Sequence, residues 1–294
     1  MTLAEAGEDQ VVAQLVKALP NDARVLVRAG DDCAVVRHEP GLLLLKTDCV
    51  IEDVHFTRAS SPRAIGWKAL CRAISDVAAM GGRPGDGLIT LAVPPSLQLS
   101  WVRGLYAGLR RAAETYRMNL VGGETARSLN GIFISVALTG YLPSGRYVTR
   151  AGGRPGDSIF VTGKLGGSLA GRHLRFEPRV EEAVWLNENF HLHAMMDLSD
   201  GLAKDLPRLA RASGVGFRLD RAALPLNRGC TADQGLGDGE DYELLFTTAL
   251  EEGTRLQAVW AQAFPRLKLS RIGELTAART PVGRPRGGYD HFRL

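Results

Sequence analysis

Ser75-Asp76-Val77-Ala78-Ala79-Met80-Gly81-Gly82-Arg83-Pro84-Gly85-Asp86 is followed at once by Gly87-Leu88-Ile89-Thr90-Leu91-Ala92-Val93. Just upstream, Ile65, Ala69, Ile74, Val77 and Ala78 recur at helical spacing, which predicts a helix over Pro62 to Met80 with one apolar face. Gly81-Gly82 offers the left-handed residue that closes such a helix. Leu88 to Val93 then reads as an apolar strand, stopped by Pro94-Pro95. The same hexapeptide, Gly-Gly-Arg-Pro-Gly-Asp, returns at 152–157, again ahead of a strand, Ser158 to Thr162. Pro-Gly presets a tight turn and Asp can cap it, so both copies read as turns rather than phosphate loops.

Working outward, residues 3–19 read as an amphipathic helix ended by Pro20 and Asn21. Val25 to Val27 and Ala34 to Val36 are short strands about a Gly30-Asp31-Asp32 turn. Leu42 to Thr47 is a buried strand that delivers Asp48 at its end. Leu99 to Tyr116 is a second long helix, Leu120-Val121 lead into Gly122-Gly123, and Ile132 to Leu138 alternates as a strand. Pro143-Ser144-Gly145 looks like a linker. Beyond it come a glycine-rich loop (163–171), helices over 180–188, 203–213 and 251–263, and strands at 194–196, 217–219, 242–248 and around 267–272. The expected architecture is α+β / α/β: two mixed α/β domains, residues 1–145 and 146–294, with the boundary near 142–150.

The length agrees, since 294 residues at roughly 150 per domain suggest two. Hydrophobic residues at 45% and charged residues at 23% are ordinary for a globular chain. The longest purely aliphatic run is Leu42 to Leu45, far short of a membrane helix. The first 25 residues carry Glu5, Glu8 and Asp9 and no basic n-region, so no secretory signal is expected. Cys33, Cys49, Cys71 and Cys230 form no Cys-x-x-Cys pair and fit reduced thiols in the cytoplasm. A net charge of +4 is spread along the chain, with no basic run of five or more; no nucleic-acid partner and no membrane partner are expected. The mild positive excess fits small anionic substrates.

No Gly-x4-Gly-Lys-Ser/Thr loop, no Gly-x-Gly-x-x-Gly after a strand, no Gly-x-Ser-x-Gly and no His-Glu-x-x-His occur. What remains is a series of carboxylates, Asp76 on the predicted helix and the others at strand ends and in glycine turns: Asp31-Asp32, Asp48, Glu124, Asp197, Asp200, Glu240, Asp241 and Glu243. Each alone could be an Asx turn or a helix cap. Together, beside glycine-permitted backbone, they suit a hard cation such as Mg²⁺, which takes oxygen ligands and bridges substrate phosphates. His191-x-His193 lacks a third ligand nearby.

These motifs, in this order, resemble thiamine-monophosphate kinases, within the superfamily that holds aminoimidazole-ribonucleotide synthetase and selenophosphate synthetase. The resembling segments are Gly30-Asp31-Asp32-Cys33-Ala34, Thr47-Asp48, Val54-His55-Phe56, Ser75 to Gly81, Gly122-Gly123-Glu124-Thr125, Thr149-Arg150, and Asp197-Leu198-Ser199-Asp200-Gly201. Gly239-Glu240-Asp241-Tyr242-Glu243-Leu244 and Gly288-Tyr289-Asp290-His291-Phe292 point to the kinase within that superfamily. The resemblance implies ATP-dependent phosphorylation of thiamine monophosphate, several Mg²⁺ ions, and a homodimer paired through the N-terminal domain. Asp32, Thr47, Asp48, Asp76, Glu124, Asp197 and Asp200 would be metal ligands. Tyr106, Gly123, Glu124, Arg150 and Ser199 would meet the nucleotide. His55, Glu240 and Tyr289 would hold the acceptor, and Asp48, Asp76 and Arg150 would carry the transfer. The chain departs from the family pattern at Glu124 (usually Asp), Asp53 and Asp238 (usually Gly) and Ala73 (usually Asn), and its segment between Gly171 and Arg179 is short. Another ATP-dependent synthetase of the superfamily, or a nucleotide-binding relative without transfer, stands as the alternative.

Overall fold

The computed structural model describes residues 5, 9, 10, 23–27, 30–39, 41–277 and 287–292. Apart from Glu5, Asp9 and Gln10, the helix expected over 3–19 lies outside them. The first sheet comprises β1 (Val25–Val27), β2 (Ala34–His38), β3 (Gly41–Ile51), β4 (Arg83–Val93), β5 (Asn119–Arg127) and β6 (Phe133–Tyr141), in the order β1-β2-β3-β6-β4-β5. Neighbours are antiparallel except β4 and β5. Helices α1 (Pro62–Ala79) and α2 (Leu99–Thr115) pack on the face that buries Leu44, Val50, Ile89, Leu91, Ile134 and Val136. The two helices cross at touching distance. A Cβ on Gly66 would stand 2.0 Å from the Leu105 carbonyl oxygen, and one on Gly108 2.0 Å from that of Arg63, so only glycine fits at either point.

The second sheet is wholly antiparallel. It comprises β7 (Ser158–Thr162), β8 (Leu192–Asp197), β9 (Gly216–Leu219), β10 (Leu244–Thr248) and β11 (Leu269–Thr276), in the order β8-β10-β7-β11-β9. Every residue of β7 and β10 is buried. Alternation along the strands explains this. Phe160, Met195 and Phe246 face one core, together with α1, α3 (Val180–Asn189) and α6 (Leu250–Ala263). Ile159, Val161, Met196 and Leu245 face another, under α4 (Leu202–Ala212). The first core is therefore shared between the two halves, and α1 is wedged between the sheets.

Four local expectations change. β3 continues past Thr47 to Ile51, paired with β6 as far as Phe133, so Asp48 is mid-strand. β5 runs on through Gly122-Gly123, with a register slip at Val121 just before them. The first hexapeptide copy is the bulged start of β4: Arg83 and Pro84 pair with Tyr141 and Gly140, then the register slips before Gly87. The second is a turn, with Asp157 Oδ2 accepting from the Arg154 amide at 2.7 Å. A short helix, α5 (Ala232–Gly237), was not anticipated, although Thr231 and Gln234 spell and form a capping box.

Candidate active site

Two elements and one turn meet beneath the first sheet. Asp32 comes from the turn before β2, Asp76 from the last turn of α1, and Asp197 from the end of β8. One carboxylate oxygen from each lies within 4.8 Å of the others, and all three residues are buried. Lys46 Nζ stands 2.9 Å from Asp76 Oδ2. Arg150 Nη2 donates to Asp32 Oδ1 at 2.6 Å, and its backbone amide donates to the Asp31 carboxylate at 3.1 Å. Ser75 Oγ donates to Asp197 Oδ2 at 2.6 Å. Beside them, Arg72 Nε is 3.3 Å from Asp48 Oδ2. Asp31, Asp32, Asp48, Asp76 and Asp197 thus face Lys46, Arg72 and Arg150, leaving carboxylate in excess. The excess registers in proton affinity. Burial, with the charge of Asp32 alongside, pushes Asp31 up to about 6 and Asp197 up to about 7. Burial also drives Asp76 well above the usual carboxylate range, against the pull of Lys46. A buried, all-oxygen set with surplus negative charge fits a divalent hard cation, and Asp32, Asp76 and Asp197 would hold it.

Next to this cluster opens a cavity of about 460 Å³, lined among others by His55, Arg72, Ser199, Glu240, Tyr242 and Tyr289. Its floor is a short backbone ladder between the segments around 198–200 and 239–243. The Glu240 amide donates to Ser199 O (2.7 Å), that of Tyr242 to Leu198 O (2.8 Å), and that of Leu198 to Glu243 O (2.9 Å). Four described non-glycine residues have positive φ, and three of them, Asp53, Glu240 and Tyr242, line this cavity. Such strain persists where surrounding structure enforces it, and it concentrates at functional sites. Glu240 is held by Lys68, whose ammonium also donates to His55 O at 2.6 Å and lies 2.8 Å from His173 Nδ1. The Ile51 amide donates to His55 Nδ1 at 3.1 Å, which assigns the ring proton to Nε2. Burial, then the charge of Arg72, lowers His55 to about 3, so the ring is neutral.

The remaining residues singled out from sequence are scattered. Alternation puts the Thr47 hydroxyl on the opposite, exposed face of β3, 3.5 Å from Ser135 Oγ and away from Lys46 and Asp48. Glu124 is exposed on the edge strand β5, three strands from β3, or about 14 Å at ~4.8 Å per strand. Its carboxylate accepts from the Thr125 amide at 3.0 Å. Gly123 lies on the same strand, where a Cβ would stand 1.9 Å from Ile89 O. Tyr106 is half-buried on α2, against the first core. Asp200 lines the cavity, and its carboxylate pairs with Arg208 and Lys204 rather than joining the three aspartates.

Comparison with known proteins places this geometry. The family model described as AIR synthase related protein, N-terminal domain, matches residues 30–142, and the corresponding C-terminal domain matches 159–283. A thiamine-monophosphate kinase of Aquifex aeolicus is 38% identical over 277 residues, covering 84% of this chain and 87% of its own. That of Bacillus subtilis is 33% identical over 305 residues, covering 91% and 94%. The chain belongs to the thiamine-monophosphate kinase family. The solved structure of AaThiL complexed with AMPPCP and TMP, 34% identical, matches it with a TM-score of 0.86 over 99% of both chains.

Against the thiamine-monophosphate kinase pattern, sequence reading missed five residues that shape the site: Lys46, Lys68, Arg72, His173 and Tyr242. Two signals were available. Lys46 and Asp48 share the inward face of an apolar strand, and Lys68, Arg72, Ser75 and Asp76 repeat at helical spacing on the most buried helix. His173 carried no local signal, and Tyr242 stood inside the Gly239 to Leu244 segment without a role assigned to it. Asp238, a departure from the family's glycine, accepts from the Gly167 amide at 2.7 Å and so ties down the glycine-rich loop.

Proposed function

We propose that the protein transfers the γ-phosphoryl group of ATP to the phosphate of thiamine monophosphate, giving thiamine diphosphate and ADP. One observation carries this reading: a buried carboxylate set with surplus charge abuts a cavity lined by His55, Glu240 and Tyr289. The relative complexed with AMPPCP and TMP supports it.

A phosphate monoester has its second pKa near ~6 and is mostly a dianion at pH 7, so the acceptor oxygen needs no general base. The obstacle is repulsion between two polyanions; unit charges ~4 Å apart repel by about 4 kcal/mol at an effective dielectric near 20. Bound Mg²⁺ ions supply charge neutralisation and in-line alignment of the two phosphates. Asp32, Asp76 and Asp197 would hold them, with Asp48 alongside. Arg150 orients Asp32 and would add its guanidinium charge to the nucleotide phosphates. Ser199 sits where cavity and cluster meet. His55 presents a neutral Nε2–H donor, and Tyr289 offers an aromatic face to a cationic thiazolium ring.

We further propose a cytoplasmic homodimer, with residues 1–145 and 146–294 as its two domains. Four free cysteines support the compartment. No helix among the described residues is long and apolar enough to cross a membrane. The outer face of the first sheet exposes Leu45, Leu88, Val121, Phe133 and Tyr141, an apolar surface a second copy would cover. The deciding experiment is ADP release from ATP with and without thiamine monophosphate and MgCl₂. Release should require both; release indifferent to thiamine monophosphate would sink the reading.

A further inference from the structure

The cavity carries an imbalance of its own. Asp53, Asp200, Asp238 and Glu240 line it, and among the lining residues Arg72 is the lysine-or-arginine cation. A dianionic acceptor entering such a space needs a positive group to meet it. Arg72 is built for that position. Nη1 donates to Cys49 O at 3.0 Å, and Nε lies 3.3 Å from Asp48 Oδ2, so the guanidinium is fixed at the junction of cavity and carboxylate cluster. Arg72 Nε is buried, and its contact with Asp48 is an ion pair without hydrogen-bond alignment. An unpartnered hydroxyl lines the same cavity. Tyr242 is only 3% exposed, and its hydroxyl is buried without a partner. Its ring is clamped by Phe176, stacked at 3.8 Å and 17°. Arg72 and Tyr242 both line the cavity. Buried polar groups left unsatisfied in a folded protein call for an explanation, and a ligand that supplies acceptors is the economical one.

We infer that Arg72 and Tyr242 form the subsite that grips the phosphate of the acceptor, orienting it toward the carboxylate cluster. This rests on the proposed kinase reading. The phosphate offers an acceptor oxygen to the Tyr242 hydroxyl, and a guanidinium pairs with phosphate through charge-assisted bonds in a fixed plane. The organic part of the acceptor then extends toward His55 and Tyr289, which line the same cavity. The rival role for Arg72 is structural, holding Asp48 and nothing more.

Calorimetric titration of the full-length protein with thiamine monophosphate and with thiamine, which lacks the phosphate, separates the two. Arg72→Gln should weaken thiamine monophosphate binding at least tenfold and leave thiamine binding within twofold. Tyr242→Phe, which removes only the hydroxyl, should weaken thiamine monophosphate three- to tenfold with an unchanged melting temperature. Arg72→Lys should recover part of the loss, and in Tyr242→Phe the ATP KM should stay within twofold. Thiamine monophosphate binding within twofold of wild type in both Arg72→Gln and Tyr242→Phe overturns the subsite. So does an equal loss for thiamine, which would make Arg72 structural. If the wild-type protein itself neither binds nor phosphorylates thiamine monophosphate, the kinase reading fails instead, and the two failures are distinct.

Discussion

Helix α1 carries two buried charge clusters that solve the same problem in opposite ways. Lys68 sits in one and Asp76 in the other, eight residues or about 12 Å apart along the axis. Around Lys68 the charges match. Its ammonium meets Glu240, His173 and the His55 carbonyl. Burial works to raise Glu240, but the hydrogen bond from His173 and the charge of Lys68 prevail and hold it at about 2. Burial lowers Lys68 to about 8 even so. Both groups are therefore ionised at neutral pH. Around Asp76 the charges do not match, and carboxylates are pushed toward protonation instead. A matched cluster is a scaffold that fixes shape. A mismatched one is stable only with something added, and that marks it as the binding site.

The sharpest way to break this contrast is to neutralise one member of each cluster. Asp76→Asn should lower turnover roughly a thousandfold or more, a loss of about 4 kcal/mol of transition-state stabilisation. Its melting temperature in Mg²⁺-free buffer should hold, because asparagine imitates the protonated acid that the crowded site already favours. Lys68→Met should do the reverse. Removing one partner of a buried pair costs about 3–5 kcal/mol. At roughly 2–4 °C per kcal/mol, the melting temperature should fall by roughly 6–20 °C. Adding Glu240→Gln should restore part of it, because no unpaired charge then remains buried. Calorimetric melting and initial rates read both arms. An Asp76→Asn variant that melts as low as Lys68→Met would erase the distinction.

Much of the mismatched cluster was legible in sequence, and little of the matched one. Asp32 and Asp197 stand out because carboxylates beside glycine turns and at apolar strand ends are unexpected unless paired or ligating, and Asp76 through the Ser75 to Gly81 segment it shares with the family. Their counter-charges were hidden in plain periodicity: Lys46 looked like a strand residue among leucines, and Arg72 like a surface point on a helix that turns out to be wedged between two sheets. The wedge itself is a tertiary fact. No local pattern says that α1 will be covered on both sides, so a lysine on it reads as solvated until the second sheet is in place. Strand lengths failed for a related reason. Asp48 and the Gly122-Gly123 pair look like strand breakers, yet β3 and β5 run through them because the β6 and β4 ladders continue alongside. Thr47 went astray by one residue, which in a strand means the opposite face.

Titration sharpens the comparison further. Asp31 at about 6 and Asp197 at about 7 are raised above an unfolded value near 3.8. Without metal, the folded state then binds more protons than the unfolded state between about pH 4 and 7, and this cluster's contribution to stability falls as pH rises through that window. Glu240 is depressed, so its contribution is present above about pH 4.5 and is lost only as pH falls toward 2. Cation binding needs deprotonated ligands. The rise in melting temperature on adding millimolar MgCl₂ should therefore be larger at pH 8 than at pH 6. An equal or smaller rise at pH 8 counts against the cluster as the cation site.

The smallest expected effect falls at the far end of the cavity, where neither kind of cluster operates. Tyr289 is 44% exposed, its amide is held by Asp200 O at 2.9 Å, and its ring meets His291 edge-on at 4.8 Å. A ring face that meets a cationic thiazolium contributes about 0.5–2 kcal/mol, so Tyr289→Ala should raise the acceptor KM roughly two- to thirtyfold, at the low end given this exposure. Tyr289→Phe keeps the ring and should stay within twofold; the ATP KM should move in neither. Because the backbone at Asp200 holds this segment independently of the ring, a loss in Tyr289→Ala that Phe repairs isolates the aromatic face as the cause. A loss shared by both variants would shift the role to the hydroxyl, and the stacking idea would fail.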